Sequence, residues 1–379
     1  MIGGCSGNDG SDAAYPSYTP LMPSMISTFK AQSPLVAELA LISLFACSGP
    51  SRGTRAIERD DRLGEKLEAT ARVEVAGGFT GAVLVARSRD VLLDRAYGSE
   101  QRVPMRTSSR FWIASAGKQF TSAAILKCQE AGRLDLNDPI VKFFPDAPGD
   151  KQALTIRQLL SHTSGLNQSY VSESASNRAE AVRKILAEPL IDLPGAHFHY
   201  SNNNYQLGVA IVEVAMAQDY AAFVTRELLS PCGMRDTGFA GDEGARLVVP
   251  ARAPIPERLR KGGWGGQGFY STTHELLTWY RALRSGRVLS GESVAQLFTP
   301  IATIQEGHAA LGWFVGKTDM GALRIFTRGN EDFGPNSLLY AYPEGDTVIV
   351  VLSHAGDAGE TASWSRHMHG ALERVLFSE

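Results

Sequence analysis

Cysteine is scarce in this chain. Only Cys5, Cys47, Cys128 and Cys232 occur, scattered over 379 residues, too few and too far apart for a disulfide framework or a zinc ribbon. No apolar run reaches the ~18–20 residues needed to span a bilayer. Charge of one sign is lacking as well: 37 Lys and Arg stand against 40 Asp and Glu, a net of −3, with no general pull toward nucleic acid or an anionic membrane. There is no internal repeat. A Gly-x-Ser-x-Gly elbow is missing, which disfavours an α/β-hydrolase. The glycine-rich stretch Gly262–Gly266 lacks the Gly-Lys-Ser/Thr of a phosphate loop. Two His-x-His pairs, His197/His199 and His367/His369, come with no Asp, Glu or His series at ligand spacing. The first pair reads as loop packing and the second as a solvated helix face. No metal and no cofactor is expected.

What is present is an ordinary globular composition, 44% hydrophobic and 20% charged, with room for one large or two intimately joined domains. Cys128 and Cys232 read as inert core thiols. Residues 1–64 read as a flexible N-terminal segment and 65–379 as the folded unit. Within the former, Leu35–Ala46 is mostly apolar and leads to Cys47. Two readings stay open: a bacterial lipoprotein signal ending at a lipid-anchored Cys47, with a periplasmic or envelope location, or a short surface helix on a cytoplasmic protein.

The pattern along the chain predicts an α+β fold. Residues 62–76 carry a helical pattern, and 81–87 with 91–97 form a β-hairpin. Helices follow at 154–160, 178–188 and 203–229. Strand candidates return at 311–315, 322–327, 337–342 and 347–352, before a last helix at 360–376. Strands at both ends imply one antiparallel sheet from the N- and C-terminal parts, flanked by helices, with a mainly helical region inserted at about 115–260. A cleft between sheet and insertion is the natural pocket.

Ser115 and Lys118 stand three residues apart at the entry of an apolar stretch holding Phe120, Ile125 and Leu126. On a helix such positions share a face, with Cβ atoms roughly 5–6 Å apart. A serine hydroxyl becomes a nucleophile when a neighbouring base takes its proton. A lysine serves as that base when burial in an apolar pocket disfavours its charged form. The spacing alone is weak: Ser27 and Lys30 match it too, in the flexible segment. A second signal is Tyr200-Ser201-Asn202, the only Tyr-x-Asn in the chain. Tyr200 can relay protons, and Asn202 can offer its amide to a substrate carbonyl or to Lys118.

An ordered series of segments now carries a resemblance. Gly78–Ala86 (GFTGAVLVA), Phe111–Phe120 with Ser115 and Lys118, Leu159–Leu166 (LLSHTSGL), Phe198–Asn202 (FHYSN), Cys232–Gly238 (CGMRDTG) and the stretch 265–272 resemble successive motifs of the serine β-lactamase superfamily. The similar branch is that of class C β-lactamases, DD-peptidases and carboxylesterases. The resemblance spans about 65 to 355 and implies a β-lactamase/transpeptidase-like fold. It also implies acyl-serine catalysis, with Ser115 as nucleophile, Lys118 and Tyr200 sharing the proton transfers, and Asn202 placing the substrate. The family's third motif has Lys or His, then Thr, Ser or Gly, then Gly. Counting back from Gly334 places Arg328, Gly329 and Asn330 there. Arg328 then faces the cleft with a fork suited to a carboxylate, and Asn330 replaces a glycine that lets substrate approach the strand. The backbone N–H of Glu331 becomes an oxyanion donor beside that of Ser115. This departure favours small acyl esters as substrates. A β-lactam, a D-Ala-D-Ala-type peptide, and a penicillin-binding or sensor module without turnover remain the alternatives.

Overall fold

The structure, a computed structural model, describes residues 54–100, 102–241, 246–255, 268–356 and 363–377. Cys47 and the apolar run before it, Ser27 with Lys30, and the glycine-rich stretch around Trp264 lie outside the described residues.

Helix α1 (Thr54–Gly77) opens the described chain. It starts about ten residues before the boundary expected at 64/65, because a mostly polar helix surface shows little apolar periodicity. The central sheet is built from β1 (Gly81–Arg87), β2 (Asp90–Tyr97), β3 (Ala302–Ile304), β4 (Gly307–Ala309), β5 (Phe314–Lys317), β6 (Leu323–Asn330), β7 (Asn336–Tyr342) and β8 (Thr347–Ser353). Their order across the sheet is β2-β1-β8-β7-β6-β5-β4-β3, antiparallel throughout. The N-terminal hairpin therefore joins the C-terminal strands through β1 and β8, with Gly81 opposite Ser353. The short edge pair β3 and β4 was not legible from strand patterning.

Both faces of the sheet are covered. Leu63, Leu67 and Ala71 of α1 and Met368, Leu372 and Leu376 of the C-terminal helix pack on one face, against Val83, Val85, Ile349 and Val351. The inserted helices cover the other through Leu84, Ile325, Leu339 and Val350. This explains why β7 and β8 are buried along their whole length and read as apolar runs rather than alternating strands. His369 departs from expectation: it is buried under the sheet, in contact with Tyr340, and hydrogen-bonds the Tyr342 hydroxyl at 2.9 Å. Burial holds its imidazole far below the usual range, near 3. His367, on the same helix, is exposed as expected.

The helical insertion runs to Phe298, beyond the expected limit near 260, since the helices Thr273–Arg284 and Gly291–Phe298 precede the return to the sheet. Its core is α2 (Lys118–Glu130), buried nearly all round. Helix α3 (Asn202–Met216) packs across it, and Gly208 of α3 lets Thr121 approach to ordinary contact. The long helix expected over 203–229 is broken at Ala217, which adopts φ +52° before a new helix starts at Tyr220. Among the described residues no single helix is long and apolar enough to cross a membrane. Cys128 and Cys232 are free and buried, and burial raises their thiols to about 12 and about 11.

Candidate active site

Three elements converge on Ser115. The first is a tight turn, Ala114–Gly117, that feeds α2. Just before it, Phe111 and Trp112 pair with Ser271 and Tyr270 in a small second sheet, and the Ile113 N–H donates to Phe269 O at 3.0 Å. The Ile113 carbonyl accepts from the Ser337 hydroxyl of β7 at 2.6 Å. Ala114 is held at φ +49°, a conformation that disfavours any residue with a Cβ. Both flanks pin the turn, so the strained residue points Ser115 into the cleft.

The second element is α2 itself. One turn on, Lys118 is buried and its Nζ lies 2.9 Å from Ser115 Oγ and 2.9 Å from Asn202 Oδ1. The third is the loop entering α3. Tyr200 OH lies 2.7 Å from Ser115 Oγ, and Lys118 Nζ sits 5.1 Å from the Tyr200 ring centroid. His162 holds this loop from beneath. Its ring stacks on Tyr200 at 4.4 Å, its carbonyl accepts the His199 N–H at 2.8 Å, and its Nδ1 accepts the Ser201 N–H at 3.1 Å. A backbone N–H can only donate, so Nδ1 carries a lone pair and the proton of the neutral ring sits on Nε2. Burial first, and then the neighbouring Lys118, keep this imidazole well below its usual range. It is therefore a neutral support, not a charge. The structure thus brings Ser115, Lys118, Tyr200 and Asn202 into one hydrogen-bonded group, as the sequence predicted.

Strand β6 closes the site, one residue out of the expected register. Gly329 meets the nucleophile turn so closely that a Cβ there would lie 2.3 Å from Ile113 O and 2.7 Å from Ser115 N. Gly329, not Asn330, is thus the glycine that proximity demands, and Thr327 takes the place expected for a cation. Thr327 is buried and lines a small cavity with Ser115, Lys118, His162 and Tyr200. The Glu331 N–H is not an oxyanion donor, because it donates to Pro335 O at 3.0 Å. Along an antiparallel strand, inward and outward N–H groups alternate. Glu331 points toward the β7 side, so the N–H of Asn330 points to the other, where β5 has ended opposite Phe326.

A beta-lactamase family profile matches residues 67–372. The chain belongs to the beta-lactamase family. It is 28% identical over 303 residues to "Protein flp" of Staphylococcus aureus (strain N315), covering 73% of this chain and 60% of that protein's length. The fold is similar to that of the D-amino acid amidase of Ochrobactrum anthropi SV3, with TM-score 0.71 and 21% identity over 83% of this chain and 100% of the other. It is also similar to a penicillin binding protein from Bacillus halodurans, with TM-score 0.65 and 22% identity over 82% of this chain and 100% of the other. The β-lactamase/transpeptidase-like fold expected from the sequence is thus the fold observed.

In this beta-lactamase-family chain the cleft before Ser115 is about 1110 Å³ and is walled by Tyr170, Phe198, Ile304, Phe314 and Arg366, among others. Arg328 lies on its wall, but its fork is engaged: Nη1 donates to Glu306 Oε2 at 2.6 Å, and the guanidinium lies over Phe314 and Phe326. Sequence reasoning missed Glu306, which lies on the unpredicted turn between β3 and β4. Asp192 was missed as well. Its Oδ2 accepts from His197 Nδ1 and His199 Nε2, each at 2.8 Å, so the first His-x-His pair does have a carboxylate partner, five residues upstream.

Glu331 brings an acidic side chain to the cleft. Its Oε1 is buried with no hydrogen-bond partner, and the Trp112 indole N–H nearby does not complete a bond to it. Burial pushes its carboxyl up to about 7, against the pull of nearby Lys118. Below about pH 4.5 the group is neutral in folded and unfolded chains alike. Between 4.5 and about 7 the unfolded chain releases a proton that the folded chain keeps, so stability falls as pH rises. Above 7 the loss is complete, at roughly 3 kcal/mol. Glu331→Gln is expected to raise the urea midpoint at pH 8 and leave it nearly unchanged at pH 4.5. An equal shift at both values would assign the effect to packing instead.

Proposed function

We propose that this protein hydrolyses small acyl esters through an acyl-serine intermediate. The observation that carries this reading is Ser115 Oγ within hydrogen-bond reach of both Lys118 Nζ and Tyr200 OH. With Lys118 in its neutral form, Ser115 Oγ attacks the acyl carbon while Lys118 Nζ takes its proton and shares it with Tyr200. The carbonyl oxygen, now negative, is received by the N–H groups of Ser115 and Asn330. Tyr200 returns the proton to the leaving alcohol as the C–O bond breaks. Water then adds to the acyl-serine and gives its proton to the same pair, which passes it to Ser115 Oγ as the C–Oγ bond breaks, freeing the acid and restoring the serine.

Esters are favoured by the cation economy of the cleft. Neutral Thr327 stands where the family has Lys or His, and Arg328 is tied to Glu306. Neither is free to take the carboxylate of a β-lactam. A second reading, hydrolysis of D-amino-acid amides or peptides, is favoured by Glu331 and Asp332, which line the cleft and suit a substrate ammonium.

The test is a rate panel on the purified chain: a short-chain nitrophenyl ester, a chromogenic cephalosporin, a D-amino-acid amide and a D-Ala-D-Ala peptide, with intact mass after each. Ester turnover well above the others is the expected result. Dominant amide turnover would select the second reading. A stable adduct without turnover would make the chain a penicillin-binding module. Glu306→Gln, run in the same panel, should free Arg328. It is expected to lower KM for a carboxylate-bearing ester about three- to tenfold and leave a neutral ester within about twofold. Equal changes on both esters would show that the Arg328–Glu306 pair serves only the strand edge.

A further inference from the structure

The loop that delivers Tyr200 holds a second cluster, at the rim of the cleft. Asp192, His197 and His199 each offer one ligand atom, and these three atoms lie within 4.8 Å of one another. Each imidazole reaches the same carboxylate oxygen, Oδ2, at 2.8 Å. Asp192 Oδ1 is engaged separately, by the Leu193 N–H at 2.7 Å, which fixes the carboxylate plane and leaves Oδ2 to the histidines. The backbone is clamped at four points: Ile191 N–H to Gly165 O at 2.9 Å, Gly195 N–H to Thr163 O at 2.7 Å, His199 N–H to His162 O at 2.8 Å, and the Asp192 carbonyl against Gly165, where a Cβ would lie 2.2 Å away. In extended chain, residues two apart point to one side, which is why His197 and His199 face Asp192 together.

We infer that Asp192, His197 and His199 form a binding site for a divalent transition metal, Zn²⁺ by donor type, at the edge of the catalytic cleft. Two imidazole nitrogens and one carboxylate oxygen are a ligand set Zn²⁺ accepts, at about 2.0–2.2 Å each. An ion between them needs each nitrogen–oxygen pair to open by only a few tenths of an ångström. The fourth tetrahedral position stays open, for water or for a polar group of a bound substrate, since His197 lines the cleft. His199 directly precedes Tyr200, so an ion here would tie down the chain that carries the catalytic phenol. The inference stands apart from the ester reading, because its test reads binding and not turnover.

The experiment is calorimetric titration of ZnCl₂ into untagged, chelator-treated protein, with X-ray absorption at the zinc edge on the loaded sample. One equivalent per chain is expected, with a first shell of two imidazole nitrogens and light oxygen scatterers. Asp192→Asn, His197→Ala and His199→Ala should each weaken binding at least about tenfold. His274→Ala, which removes another histidine paired with an aspartate at 2.9 Å, should leave it unchanged. A sulfur-containing shell, or affinity unaltered in Asp192→Asn and His197→Ala, would overturn the assignment. Should a variant fail to fold, the absorption spectrum of the wild-type chain alone decides between the two outcomes.

Discussion

Ser115→Ala should cut hydrolysis of the best ester by at least about 10³-fold while leaving the thermal midpoint within a few degrees of wild type. The size follows from what is removed. Without Oγ there is no acyl-enzyme, and what survives is the binding and oxyanion contribution alone. The fold should tolerate the change because the turn is held elsewhere, by Ser337 on the Ile113 carbonyl and by the small sheet at Phe111 and Trp112. Lys118→Met should fall nearly as far, and the double variant no further than either alone, since groups acting as one unit do not add. Initial rates and a mass adduct with a slow ester report both steps. If Ser115→Ala kept more than about a hundredth of the activity, the nucleophile would have to be sought elsewhere.

Gly329→Ala should cost about 10²–10³ in kcat and about 1–3 kcal/mol in stability. A Cβ at this position would strike Ile113 O, Ser115 N and the Ala114 side chain, all within 2.8 Å. Neither backbone can yield without moving the other, because Ser337 and Ala114 lock the turn to β7. The stability cost is that of overpacking, and the rate cost is that of displacing an oxyanion donor from its place beside the nucleophile. The same variant separates the two registers. With Arg328, Gly329 and Asn330 as the family's third motif, position 329 is the one where Thr, Ser or Gly stands, and alanine would be tolerated. With Thr327, Arg328 and Gly329 there, it is the one position where nothing but glycine fits. Asn330→Ala, an exposed side chain on a retained N–H, should change kcat by no more than a few-fold.

These residues also mark where the sequence was legible and where it was not. Ser115, Lys118, Tyr200 and Asn202 were recoverable because each is a chemically distinctive residue in a short motif. The alternating hairpin at 81–97 and the apolar runs of β7 and β8 were recoverable because burial writes itself into hydrophobic pattern. The register of β6 was not. It depends on how many residues lie between β6 and β7, and the connection Glu331–Pro335, with no periodic pattern, records no count. Glu306, Asp192 and the neutral state of His162 were hidden for a different reason: each acquires its role from a partner brought by the fold. The first turns of α1 and the break at Ala217 were missed because neither carries a proline or a glycine to announce it.

The pairing of β1 with β8 has a consequence for how the chain acquires its shape. Gly81 waits for Ser353, more than 250 positions later in the sequence. The hairpin that emerges early can form by itself but has no neighbour on its inner edge until almost the last strand has been made. Contacts of such long separation close slowly, since loop entropy must be overcome before they return any stabilisation. The Ser115 turn is anchored to Ser337 and to Gly329 of the late strands, so the group around Ser115 is completed late. A nascent chain is therefore open along one sheet edge until Thr347–Ser353 has been made. A chain cut short before Thr347 would keep Ser115, Lys118, Tyr200 and Asn202 and still lack the strand that joins the two halves of the sheet.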